Sequence, residues 1–150
     1  MTKVKLETTR GDIVIELRED MPVTSGNFAD LVRKGFYNGV IFHRVIDGFM
    51  IQGGDPTGTG CGGPGYTIKD EFPSDNKNNR GTIAMANAGP NTGGSQFFIN
   101  LVNNNYLDKA HPAFGTIVEG MDVVDAIGKT KTSYNDKPLE DVVIQKATLL

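Results

Sequence analysis

Short runs in which apolar and polar residues alternate fill most of this chain, and glycine punctuates them. Val4 to Thr8 alternates with period two, the pattern of a half-buried strand. Arg10-Gly11-Asp12 then turns the chain and Ile13 to Leu17 runs back, which predicts a hairpin. After Pro22 the period changes. Phe28, Leu31 and Val32 recur at helical spacing and Gly35 ends the segment, so a helix is predicted there. Asn38-Gly39 reads as a turn. Val40 to Ile46 and Phe49 to Gln52 read as adjacent strands joined at Gly48. Gly53 to Gly65 holds seven glycines and two prolines and must be a loop. Gly81 to Asn87, Gln96 to Leu101 and Ala113 to Val118 read as further strands. Met121 to Ile127, between Gly120 and Gly128, is a short helix, and Asp141 to Leu149 is a last strand.

That makes about eight short strands and two helices. Most connections are short, which favours antiparallel pairing. Free sheet edges are a liability, so the expected architecture is all-β: a closed eight-stranded antiparallel barrel, with two helices over its open ends. A sandwich is the alternative. The 150 residues suit one domain, 1–150. A chain of that length buries about 70% of its unfolded surface and forms a core without staples.

Charge adds exclusions. With 15 basic and 18 acidic residues the net charge is −3, and no basic block stands out, so nucleic acid is not an expected partner. No apolar run approaches the roughly 20 residues of a membrane span. The N-terminal stretch MTKVKLETTRGD lacks the apolar segment of a secretory signal. The single cysteine, Cys61, excludes an internal disulfide and suits a reducing compartment. A soluble, cytoplasmic monomer is expected.

Several local patterns have ordinary readings. Arg10-Gly11-Asp12 spells the integrin-binding tripeptide, but the hairpin turn explains it. Gly58, Gly60 and Gly63 match GxGxxG, yet Pro64, Gly65 and Tyr66 follow where a nucleotide-binding turn needs a helix. His43, His111 and Cys61 are not at metal-ligand spacing, so neither metal nor cofactor is expected. Ser95 lacks the GxSxG setting of a hydrolase nucleophile, and such a reading needs His43 or His111 and an acid to converge on it.

Two segments carry more. In FHRVIDGFMIQGGD, Phe42 to Asp55, an arginine lies on a short apolar strand. Strand alternation puts Phe42 with Arg44, and Met50 with Gln52, on common faces. A solvated or ion-paired Arg44 is the plain reading, but mixed polar and apolar faces mark a site interrupting core patterning. The kit has no nucleophile, no carboxylate pair and no metal ligands. It suits a substrate that is gripped, polarised and twisted rather than cut. In MANAGPNTGGSQFFI, Met85 to Ile99, a polar turn joins two apolar strands. Asn87 sits at a strand end with backbone groups free for a ligand, and Gln96 and Phe98 share a face.

With GFYNGVIFHRV (Gly35 to Val45), GFMIQGGDPTGTG (Gly48 to Gly60) and NYLDKAHPAFGTIVEGMDVV (Asn105 to Val124), these segments give four ordered motifs. Through them the whole chain resembles the cyclophilins, the cyclosporin-binding class of peptidyl-prolyl cis-trans isomerases. The resemblance implies the capped eight-stranded barrel, with the site on its outer wall. It implies that Arg44 is the catalytic arginine and that Phe49, Met50, Phe98, Leu107 and His111 form a proline pocket. Gln52, Asn87 and Gln96 match hydrogen-bonding positions, Ala86 and Ala88 flank Asn87, and Gly60 lies beside the groove. The implied partners are proline-containing peptides and unfolded or folding proteins, and a cyclosporin-type inhibitor. Tyr106 departs from the tryptophan of well-studied eukaryotic members. It keeps an aromatic wall but loses the indole N–H donor, a change that bears on tight cyclosporin binding more than on catalysis. A proline-peptide binding module or chaperone without isomerase activity is the alternative.

Overall fold

The computed structural model describes residues 2–150. One antiparallel sheet dominates it, built from nine strands. In chain order these are β1 (Lys3–Thr8), β2 (Gly11–Leu17), β3 (Val40–Ile41), β4 (Arg44–Ile46), β5 (Met50–Gly53), β6 (Thr82–Met85), β7 (Phe97–Asn100), β8 (Ala113–Glu119) and β9 (Val143–Leu149). Helix α1 (Pro22–Arg33) follows β2, and α2 (Met121–Gly128) follows β8. The mainly-β architecture with two helices is as expected from the pattern.

The strand order is β3-β9-β1-β2-β8-β6-β7-β5-β4. The two outermost strands, β3 and β4, are consecutive in the chain and separated only by Phe42 and His43. Two residues span at most about 10 Å, so the sheet curls until its ends nearly meet. No ladder joins β3 to β4 among the described residues; the chain itself bridges the gap. This corrects the closed eight-stranded barrel on two counts, strand number and closure. The cause is the break at Phe42. Its N–H donates to the Val142 carbonyl at 2.9 Å, its ring is fully buried edge-on to Phe97, and only at Arg44 does pairing resume, with β5. Phe42 and Arg44 therefore do not share a face. The hairpin differs in a smaller way: Thr8 pairs with Gly11, so Thr9-Arg10 makes the turn and Gly11 and Asp12 belong to β2.

Alternation decides what lies inside. Val4, Leu6, Ile13, Ile15, Ile51, Ile83, Phe97 and Ile99 point into one core, joined by Phe28 and Leu31 of α1 and Val124 and Ile127 of α2. Phe28 meets Tyr37, Phe97 and Phe114 with ring centroids 5.1, 5.5 and 5.2 Å away. Such pairs each add about 0.5–1.5 kcal/mol beyond area burial. Pro22 opens α1, where a missing N–H costs nothing. The cap comes from far along the chain: the Glu71 carboxylate accepts from the N–H groups of Val23 and Thr24 at 3.2 and 2.7 Å.

Candidate active site

A single cross-strand row forms the floor of the site. Arg44 pairs with Gln52, Gln52 with Phe98, Phe98 with Ala84, and Ala84 with Ala113, across five neighbouring strands. Because successive residues alternate faces, this row lies opposite the core-facing Ile51, Ile83 and Phe97. Met50, Ala84, Phe98 and Ala113 make a second, smaller buried cluster there, packed by Ile46, Phe49, Ala86 and Leu107. An apolar floor thus sits on the outer wall of the sheet, with Arg44 and Gln52 at its edge.

Above it opens a pocket of about 280 Å³. Phe49, Met50, Phe98 and Leu107 supply its apolar walls, and Arg44, Gln52, Asn87 and His111 its polar ones, with Ala86 completing the lining. His111 meets the Phe98 ring edge-on at 5.2 Å, and its Nδ1 lies 2.9 Å from the Met85 carbonyl. A carbonyl only accepts, so Nδ1 carries the proton and Nε2 is the acceptor of the neutral ring. Leu107 comes from a 3-10 turn, Asn105–Leu107, that the sequence pattern did not reveal. Tyr106 on the same turn is 73% exposed and stacks on Phe49 at 6.3 Å; it lines neither this pocket nor the cavity beside it.

A chain of amides fixes the polar edge. Arg44 Nη1 donates to Gln52 Oε1 at 3.3 Å, and Gln52 Nε2 donates to Gln96 Oε1 at 3.1 Å. Gln96 Nε2 donates to the carbonyls of Gly60 and Gly62, both at 3.0 Å. Beyond Gln52 the pocket runs into a second cavity of about 690 Å³, where Gly60, Ala88 and Gln96 lie. Asn87 borders both. Its side chain is tied to the Ala110 carbonyl at 2.7 Å, whereas its own N–H and C=O enter no backbone bond among the described residues.

Two supports escaped the sequence reading. The first is a buried asparagine network. Asn104 Nδ2 donates to the Phe49 carbonyl and to Asn100 Oδ1, each at 2.9 Å. Asn76 and Asn78 both donate to the His111 carbonyl at 3.1 Å. Opposite walls of the pocket are therefore pinned from behind. The second is Asp55, 1% exposed. Its two oxygens accept from the N–H groups of Thr57, Thr59, Gly60 and Gly62. Burial opposes the charge, but these bonds outweigh it and hold the carboxyl well below the usual range. The GxGxxG run is thus a tight loop wound on a carboxylate, and no helix follows it.

Ser95 is buried and donates to the Gly54 carbonyl at 2.7 Å, and no imidazole bonds to it among the described residues. A hydrolase triad is not assembled. His43 is also buried, next to Arg44 but outside the 280 Å³ pocket.

A family model described as cyclophilin type peptidyl-prolyl cis-trans isomerase/CLD matches residues 3–149. The chain belongs to that family. Among its relatives, peptidyl-prolyl cis-trans isomerase-like 1 of Homo sapiens is 50% identical over 149 residues, which are 96% of this chain and 90% of the human protein. Peptidyl-prolyl cis-trans isomerase ppi1 of Schizosaccharomyces pombe is 48% identical over the full length of both chains. A crystal structure of a Cryptosporidium parvum cyclophilin type peptidyl-prolyl cis-trans isomerase superposes with a TM-score of 0.96 at 35% identity, covering 99% of this chain and 97% of that one. A second crystal structure of that protein, in the presence of the dipeptide Ala-Pro, gives 0.95. No helix among the described residues is long and apolar enough to cross a membrane.

Proposed function

We propose that this cyclophilin catalyses rotation about X-Pro peptide bonds at the 280 Å³ pocket, with Arg44 as the catalytic residue. The observation that carries the reading is the guanidinium standing at the rim of an apolar floor, held by Gln52 and by no carboxylate among the described residues. The related protein crystallised in the presence of Ala-Pro supports the substrate class.

An X-Pro bond resists rotation because nitrogen shares its lone pair with the carbonyl, a barrier of about 18–20 kcal/mol. In the twisted transition state the sharing stops and the proline nitrogen regains its lone pair. A donor aimed at that nitrogen binds the transition state more strongly than either planar state, which is the condition for catalysis. A guanidinium offers a fixed fork of charged donors, and Arg44 presents one at the rim. Phe49, Met50, Phe98 and Leu107 hold the proline ring by burying it. The free backbone groups of Asn87 anchor the preceding residue, and Gln52 holds the carbonyl side. Shortening a process of about a hundred seconds to about ten milliseconds takes roughly 5.5 kcal/mol. A charge-assisted hydrogen bond in a dry, preorganised pocket supplies energy of that order. These residues act as one folding unit, as a monomer in the cytoplasm, a reducing compartment that suits the exposed thiol of Cys61. A cyclosporin-type ligand that extends past the pocket to Tyr106, which stacks on the outside of Phe49, finds no indole donor there and binds less tightly.

The test is cis-trans exchange of a short Ala-Pro peptide by NMR, with wild type and Arg44→Ala in parallel. Arg44→Ala lowers turnover by about a hundredfold or more while peptide affinity changes little. Equal loss in turnover and affinity makes Arg44 a binding group. Peptide bound without faster exchange in wild type makes the chain a proline-peptide binding module.

A further inference from the structure

On the far side of Arg44 from the apolar floor lies another cavity, of about 490 Å³. It shares Arg44 and Gln52 with the pocket and Gly60 with the long groove, so one bound peptide reaches all three. Its ionisable lining is His43, Arg44 and Lys137, and no carboxylate lines it. The chain as a whole carries 18 acidic residues and a net charge of −3. Arg18, Arg33 and Arg80 each have an acidic partner, whereas Arg44 and Lys137, like Arg10, have none among the described residues. His43 is 8% exposed and makes no hydrogen bond there: Nδ1 is enclosed and unpartnered, and Nε2 lies toward Gly60. The side-chain oxygen of Asn135 is engaged by the Ser133 hydroxyl, leaving its Nδ2 donor uncommitted. The nearby carboxylate, Asp55, is saturated by its own loop.

We infer that this cavity is a specificity subsite for an acidic side chain of the peptide, an aspartate or glutamate close to the proline, received by Lys137, Asn135 and the outer face of Arg44. The inference rests on the isomerase reading for the placement of the proline. Two uncompensated cations and a free amide donor facing one cavity present the charge pattern that a carboxylate completes. An occupant there also engages Arg44 from behind and holds its fork toward the pocket.

The experiment uses a neutral Ala-Pro pentapeptide in which each position but the proline is replaced in turn by Glu or by Gln. Kd and exchange rate are measured by NMR for wild type and Lys137→Gln, at low and high salt. Lys137 is exposed and its side chain makes no hydrogen bond in the fold, so the variant folds. One position is expected to prefer Glu over Gln by about three- to tenfold in Kd at low salt, with the preference shrinking in high salt. The preference collapses in Lys137→Gln, and the His43 ring signals move with the Glu peptide only. Equal Kd for Glu and Gln at every position overturns the subsite, and so does a preference that survives Lys137→Gln. Failure of the isomerase reading appears separately, as bound Gln peptides whose exchange is not accelerated, while the Glu-to-Gln ratio still decides the subsite.

Discussion

His43 stands against the interior with no partner for Nδ1. Burial is the largest influence on it and pushes its pKa down; Asp55 pulls the other way, and the charges of Arg44 and Lys137 add to the depression. A histidine with a lowered folded pKa is protonated first in the unfolded chain. Its contribution to stability is complete above about pH 6.5 and drains away as pH falls below that toward the folded value. Urea midpoints measured from pH 7.5 to pH 5 should therefore fall in wild type, and His43→Gln should flatten the decline. An unchanged slope in the variant would assign the loss to another group. Asp55 works in a separate window. Its carboxyl is also depressed, so its contribution is complete above about pH 4 and is lost only in stronger acid.

The segment from Gly53 to Gly65 is wound on one side chain. Four backbone N–H groups converge on Asp55, and Gln96 reads the loop through the carbonyls of Gly60 and Gly62. Its start is packed so closely that a β carbon at Gly54, where φ is +92°, would lie 2.3 Å from the Ser95 carbonyl. Asp55→Asn leaves one acceptor oxygen and turns an amide donor toward backbone donors. A loss of about 2–4 kcal/mol in unfolding free energy is expected, with hydrogen-exchange protection falling first at Gly60 and Gly62. Protection that persists at those amides would mean that the glycines hold the loop unaided. Strands and helices announce themselves through period, and here nearly all of them did. What period does not carry is where a strand breaks or which strand lies beside which. Val40 to Ile46 reads as one run because nothing local tells that Phe42 turns inward beneath Val142. Arg44, Gln52, Phe98 and Ala84 lie far apart in sequence and become a row only through register. Asn76, Asn78 and Asn104 have the composition of exposed loop, and only the fold makes them buried bolts. Alternation pairs Met50 with Gln52 and Gln96 with Phe98, but Leu107 and His111 are legible only through the motif they sit in, because no spacing rule places them beside Phe98.

Across the whole molecule, two apolar assemblies share the wall formed by β5, β6 and β7: a large core within and a small cluster without. Phe97 and Phe98 are neighbours in sequence and belong to different assemblies. Phe97→Ala should cost about 3–5 kcal/mol of stability, as large-to-small changes in a packed core do. Phe98→Ala should instead show its larger effect in peptide affinity. Thermal denaturation and peptide titration on both variants check the division, and matched behaviour would show that the wall does not separate the two functions. The sheet order has a consequence for how the molecule is made. β9 lies between β3 and β1 and pairs with both. The ribosome supplies it last, roughly a hundred residues after β3. At ordinary elongation rates of about 5–20 residues per second, the nascent chain spends about 5–20 seconds with two bare strand edges. The seam that holds the first strand is thus sewn from the tail, and until it arrives the emerging chain is open to pairing with its neighbours.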